Sequence, residues 1–186
     1  MVLVGEIRDA ETAEIAVRSA QTGHLVFSTL HTNDSVSAIT RLADMGIEPF
    51  LISSSLVCSV AQRLVRRICR HCLTPDDAIP EGIRNEMSRA LDLVPAEVNA
   101  WKGQGCVECD RKGYRGRVAL YEFFLISDEI ADAIGPGVKA GQLREAARRY
   151  GWRSLRENGW AKVQTGLVPI EEQQRMTRRL EIHALA

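Results

Sequence analysis

The chain has 186 residues, 45% hydrophobic, 26% charged and only 5% aromatic, with 24 Lys and Arg balanced by 24 Asp and Glu. That is room for one ordinary domain with a small insertion and enough apolar material for a core, which excludes a disordered chain or a large multidomain machine. Zero formal charge argues against a polyelectrolyte that coats nucleic acid or membrane, and the longest stretch free of Asp, Glu, Lys, Arg and His, residues 49–62, carries four serines and is too short to cross a bilayer.

Residues 1–4 read as a short strand ending at Gly5. They lack a basic leader and run straight into Glu6, so they are no secretory signal, and a cytosolic chain is expected. A second strand is predicted over residues 24–30 (HLVFSTL). Between them Asp9 can cap a helix with an Ala13, Ala16, Val17 and Ala20 stripe, stopped by Gly23. Strand, helix and strand at this length form a βαβ unit, hence an α/β class with parallel strands covered by helices. Further helices are predicted from Asn33 or Asp34 to Gly46, and from Pro49 through Leu56, Val60, Leu64 and Val65, the latter burying the Cys58 thiol. Residues 69–117 hold three prolines and two cysteine pairs, with a short helix at 83–91, and read as an inserted module. A strand at 118–124 and helices at 140–150, 154–165 and 169–180 complete the chain. The expected division is 1–68, 69–117 and 118–186.

Glu6 falls at the carboxyl end of the first strand, where parallel sheets gather ligands, and an acid there can hold a Mg²⁺-bound or attacking water. Alone, it reads more readily as a solvated loop before a helix cap. The neighbouring strand ends in Ser28-Thr29-Leu30-His31, which sets Thr29 and His31 at the same edge, with His24 at the strand's start. Cys69-x-x-Cys72 and Cys106-x-x-Cys109, with 33 residues between the pairs, match a tetrahedral zinc set, against the alternatives of redox pairs or reduced core thiols. Arg66, Arg67, Arg70, Arg111, Lys112, Arg115 and Arg117 flank them and would offset the thiolate charge. The same flanks suit a nucleic-acid-binding zinc ribbon, but Trp101 and Tyr114 are the module's only aromatics, which argues against nucleic acid.

Residues 1–9 (MVLVGEIRD), Glu11-Thr12-Ala13 and residues 22–33 (TGHLVFSTLHTN) resemble the Walker B segment and histidine box of the secretion ATPase superfamily, nearest to type II secretion and type IV pilus assembly ATPases. Residues 105–117 (GCVECDRKGYRGR), followed by Tyr121-Glu122, resemble the tetracysteine module of type II secretion and many pilus extension ATPases, which pilus retraction ATPases generally lack. The resemblance implies the C-terminal part of a RecA-like P-loop NTPase core with a tetracysteine zinc-binding insertion and a C-terminal helical region. It implies Glu6 as the Walker B acid acting through Mg²⁺ and water, His24 and His31 near the terminal phosphate, and Arg8, Asp9 and Thr29 in support. Cys69, Cys72, Cys106 and Cys109 would hold a structural Zn²⁺. ATP and Mg²⁺, a homo-hexamer, and partners among inner-membrane secretion or pilus platform proteins complete the expectation, with a cytoplasmic location peripheral to that membrane.

No G-x-x-x-x-G-K-[ST] phosphate loop occurs in the 186 residues. The chain is therefore expected to be the C-terminal half of such an ATPase, inactive alone. The competing reading is a non-catalytic, zinc-containing protein-interaction module.

Overall fold

The computed structural model describes residues 1–177. It is a mixed α/β chain divided into two compact units, residues 1–61 with 122–153, and residues 62–121 with the segment from 154 onward.

In the first unit, β1 (Val2–Leu3) and β2 (Val26–Phe27) pair in parallel, with Val2 opposite Val26 and Leu3 opposite Phe27. The helix between them, α1 (Ala10–Gln21), is capped by Asp9, whose carboxylate accepts from Thr12 N–H, and it buries Ala13, Ala16 and Val17. The βαβ expectation holds. Helices α2 (Ser37–Asp44) and α3 (Pro49–Ser55) follow. Asp34 binds both the N–H and the hydroxyl of Ser37 at 2.8 Å, which sets the start of α2. Ile39, Ile52, Phe124 and Leu143 centre this unit's core, and Trp152 packs edge-on to Phe124 at 6.4 Å.

The helix expected to run from Pro49 to Val65 ends at Ser55, and β3 (Cys58–Ile68) takes over. Ser53, Ser54 and Ser55 turn their hydroxyls back onto the carbonyls of Phe50 and Leu51, a bonding pattern that weakens a helix end. The difference has a simple origin. Apolar residues at 56, 60 and 64 are spaced by four, a multiple of the strand period of two as well as near the helical 3.6. In the strand Val60 and Leu64 lie on the exposed side while Val65 is buried. Cys58 is accordingly a half-buried strand residue, and burial pushes its thiol pKa up.

The chain passes into the second unit along β3 and returns along β6 (Tyr114–Leu125), its pairing partner. Between them β4 (Leu73–Pro75) and β5 (Trp101–Gly103) form an antiparallel pair, and α4 (Glu81–Leu91) starts directly after Pro80. In the first unit α5 (Asp128–Asp132) and α6 (Ala140–Arg148) follow β6, and the second unit resumes with α7 (Leu155–Gln164) and α8 (Ile170–Thr177). The last three residues of the helix expected over 169–180 lie outside the described residues. The second core joins Met87, Val98 and Ala100 from the cysteine-bearing stretch to Trp160 and Val163 of α7. Among the described residues, no helix is long and apolar enough to cross a membrane.

Candidate functional site

The parallel pairing of β1 and β2 continues past the strands: Ile7 N–H donates to Thr29 O at 2.9 Å, and the Thr29 hydroxyl donates to Gly5 O at 2.9 Å. This register puts Glu6 beside His31. The Glu6 carboxylate binds Arg8 Nε at 2.5 Å through one oxygen and His31 Nε2 through the other. Its side chain keeps 22% exposure, whereas that of His31 is 86% exposed, so the pair forms an open rim. A carboxylate held in this way can orient water, and the guanidinium and imidazole beside it can donate to phosphate oxygens.

The other expected residues lie apart from this pair. Asp9 works as the α1 cap, and the N–H and hydroxyl of Thr12 hold its pKa below the ordinary value. His24 sits at the opposite end of β2 from His31, its Nδ1 hydrogen-bonded with the Thr22 hydroxyl at 3.1 Å.

Beyond His31 the chain is pinned by Glu122, which is 2% exposed and accepts from Ser35 N–H at 2.9 Å and from its hydroxyl at 2.5 Å. Arg144 adds a 2.8 Å bond to Asp34. The sequence held one signal for this tether, a single carboxylate in the apolar run ALYEFF.

A second centre lies in the other unit. Cys69 and Cys72 bracket one 3-10 turn (Arg70–Cys72), and Cys106 and Cys109 bracket another (Val107–Cys109). Crossed backbone bonds, Cys69 N–H to Gly113 O at 2.9 Å and Gln104 N–H to Cys72 O at 3.0 Å, hold the turns together. The approach is so close that a Cβ on Gly103 would meet Gly113 O at 2.1 Å, and Gly113 itself has φ +76.

The four sulfurs lie within 4.8 Å of one another, with Cys69–Cys106 and Cys72–Cys109 at 3.9 Å and Cys106–Cys109 at 3.7 Å. Sulfurs about 2.3 Å from one tetrahedral ion stand about 3.8 Å apart, so the set fits a soft divalent metal. The N–H groups of Cys106 and Gly113 donate to Cys109 Sγ at 3.2 Å, and that of Gly105 donates to Cys72 Sγ at 3.3 Å. The Cys106 N–H bond leads in drawing the Cys109 pKa down to about 7. Cys106 is pushed up to about 12, first by desolvation and then by the neighbouring Cys109 and Cys69 thiols.

The basic residues expected to offset this charge are in part engaged elsewhere. Arg66 binds Glu172, Lys112 binds Asp110 and Arg115 binds Glu108. Backbone N–H donors add local compensation at Cys72 and Cys109.

Residues 1–175 match the family described as Type II/IV secretion system protein, and the chain belongs to that family. It is 47% identical to the type IV pilus assembly ATPase PilB of Thermus thermophilus, covering 92% of this chain and 19% of that protein. It is 46% identical to the type II secretion system protein HxcR of Pseudomonas aeruginosa and to the type II secretion system ATPase E of Vibrio cholerae, covering 96% of this chain and 34% of each. The chain thus spans about a third or less of these relatives. Among solved structures, the pilus retraction motor PilT with bound ADP superposes with a TM-score of 0.63 at 23% identity, covering 96% of this chain and 40% of that one. The Legionella pneumophila ATPase DotB gives 0.59 at 20% identity, covering 94% and 38%. Both support the fold.

Proposed function

We propose that the chain is the C-terminal portion of a cytoplasmic, hexameric ATPase that powers type II protein secretion or type IV pilus assembly. The observation that carries this reading is the Glu6–His31 pair at one edge of the parallel β1–β2 sheet. In this reading Glu6 orients the attacking water, His31 donates to the terminal phosphate, and Thr29 fixes the register of the two segments while Arg8 holds the carboxylate. The oxygen donors of Glu6 and Thr29 fit Mg²⁺, which would neutralise phosphate charge when bound. His24, hydrogen-bonded at the far end of β2, would act at a separate contact.

Residues 69–117 form a metal-binding module in which Cys69, Cys72, Cys106 and Cys109 hold a structural Zn²⁺, supported by the sulfur spacing. When bound, the ion clamps the two turns. The tetracysteine set favours secretion or pilus extension over retraction, with inner-membrane platform proteins as partners.

With no phosphate loop among its residues, the isolated 186-residue chain is expected to show no Mg²⁺-dependent ATP turnover, whereas the full-length ATPase containing it turns ATP over. Hydrolysis by the pure chain that Glu6→Gln abolishes would overturn the requirement for an upstream half.

A further inference from the structure

His31 is almost entirely exposed, so packing does not hold it over Glu6. Its place depends on the two ends of the segment that carries it. The upstream end is registered at Thr29, through Ile7 and Gly5. Downstream, the first buried anchor is Ser35, 1% exposed, with both its N–H and its hydroxyl on one oxygen of Glu122. Five residues, 30–34, span the gap, and His31 is the second of them.

We propose that Glu122 is a positioning residue for the hydrolytic rim: by holding Ser35 it fixes the segment that places His31 against Glu6. The proposal rests on the reading of Glu6 and His31 given above. Glu122 carries the greater share of this duty compared with the neighbouring Asp34–Arg144 pair. Those side chains are 28% and 24% exposed, so water can replace their bond, whereas Ser35 and Glu122 are out of water's reach. Without the carboxylate the two buried Ser35 donors lose their acceptor, and moving the segment towards new acceptors relieves that cost. Glu122 is 91 positions downstream of His31 in sequence and acts through Ser35, accepting from both its N–H and its hydroxyl.

The test is steady-state ATP hydrolysis by the full-length ATPase containing this chain, with wild type, Glu122→Ala, Glu122→Gln, Ser35→Ala and Glu6→Gln compared at equal folded fraction. Glu122→Ala should lower kcat about 10- to 100-fold, the scale of a small misplacement of reacting groups, with KM for ATP within about threefold. Glu122→Gln keeps an acceptor oxygen for Ser35 and should recover turnover to within about fivefold of wild type. Ser35→Ala, which keeps its N–H, should fall between, and its effect should not add to that of Glu122→Ala. A merely structural Glu122 would lower the folded fraction while leaving kcat per folded enzyme unchanged, and that result overturns the proposal. Should Glu122→Ala fail to fold, wild-type kcat in Ser35→Ala together with unrecovered turnover in Glu122→Gln overturns it equally. If Glu6→Gln itself leaves turnover intact, the reading of the rim fails; if Glu6→Gln abolishes turnover and the Glu122 variants do not touch kcat, only the positioning role fails.

Discussion

Arg66 and Glu172 are 106 positions apart in sequence and meet through three hydrogen bonds. Arg66 N–H donates to one carboxylate oxygen at 2.9 Å, and its Nε and Nη2 donate to the other at 3.0 and 2.8 Å. Glu172 is fully buried, Arg175 adds two further bonds from the next turn of α8, and the Arg66 guanidinium lies 4.1 Å over the Tyr114 ring. The network fastens α8 to β3 and β6 within the second unit.

Glu172→Gln should therefore destabilise this unit at neutral pH. The arginines remain 48% and 58% exposed and can turn to water, so the cost falls below that of a fully buried pair, about 2–3 kcal/mol. Burial alone would raise the Glu172 pKa, but the bonds from Arg175 and Arg66 outweigh it and bring it from 4.5 to about 2. A depressed carboxylate pKa contributes stability above its unfolded value and loses it as protonation overtakes the folded state. The gap between wild type and Glu172→Gln should be full above pH 4.5 and close as pH falls towards 2. Denaturant melts at several pH values check this, and a constant gap contradicts it.

The cysteine set should bind one Zn²⁺ per chain, measured by elemental analysis. Cys106→Ser should reduce bound metal below about 0.2 per chain and lower Tm by about 5 °C or more, because metal binding to such a set is coupled to folding. Stoichiometric metal in the variant, or a chelator-treated wild type with unchanged Tm, would count against the site.

Gly113→Ala tests the closeness of the two turns. A Cβ there would sit 2.5 Å from Gly103 O at a backbone φ of +76, so a cost of about 1–3 kcal/mol and weaker metal retention are expected. Competition with a chromogenic chelator measures the retention; wild-type retention contradicts the geometry.

Much of this was legible in the sequence because the signals were local. Asp9 capping α1, the parallel β1–β2 pair and the two Cys-x-x-Cys turns each depend on residues within a few positions or on a repeated spacing. The extended run from Cys58 was missed because its apolar spacing of four suits both periods. The Glu122–Ser35 and Arg66–Glu172 bonds were illegible because nothing local announces which distant donor a buried carboxylate will meet. The same holds for the flanking arginines and lysine: their positive charge was plain, but their acidic partners were set by the fold.

Glu6 bears most directly on the assignment of hydrolysis to this rim. In the full-length ATPase containing this chain, Glu6→Gln keeps the side-chain size and removes the charge, and it should lower kcat for Mg²⁺-dependent ATP hydrolysis about 100-fold or more with KM within a few-fold. Turnover at the wild-type rate in Glu6→Gln would contradict the assignment of this rim as the site of hydrolysis.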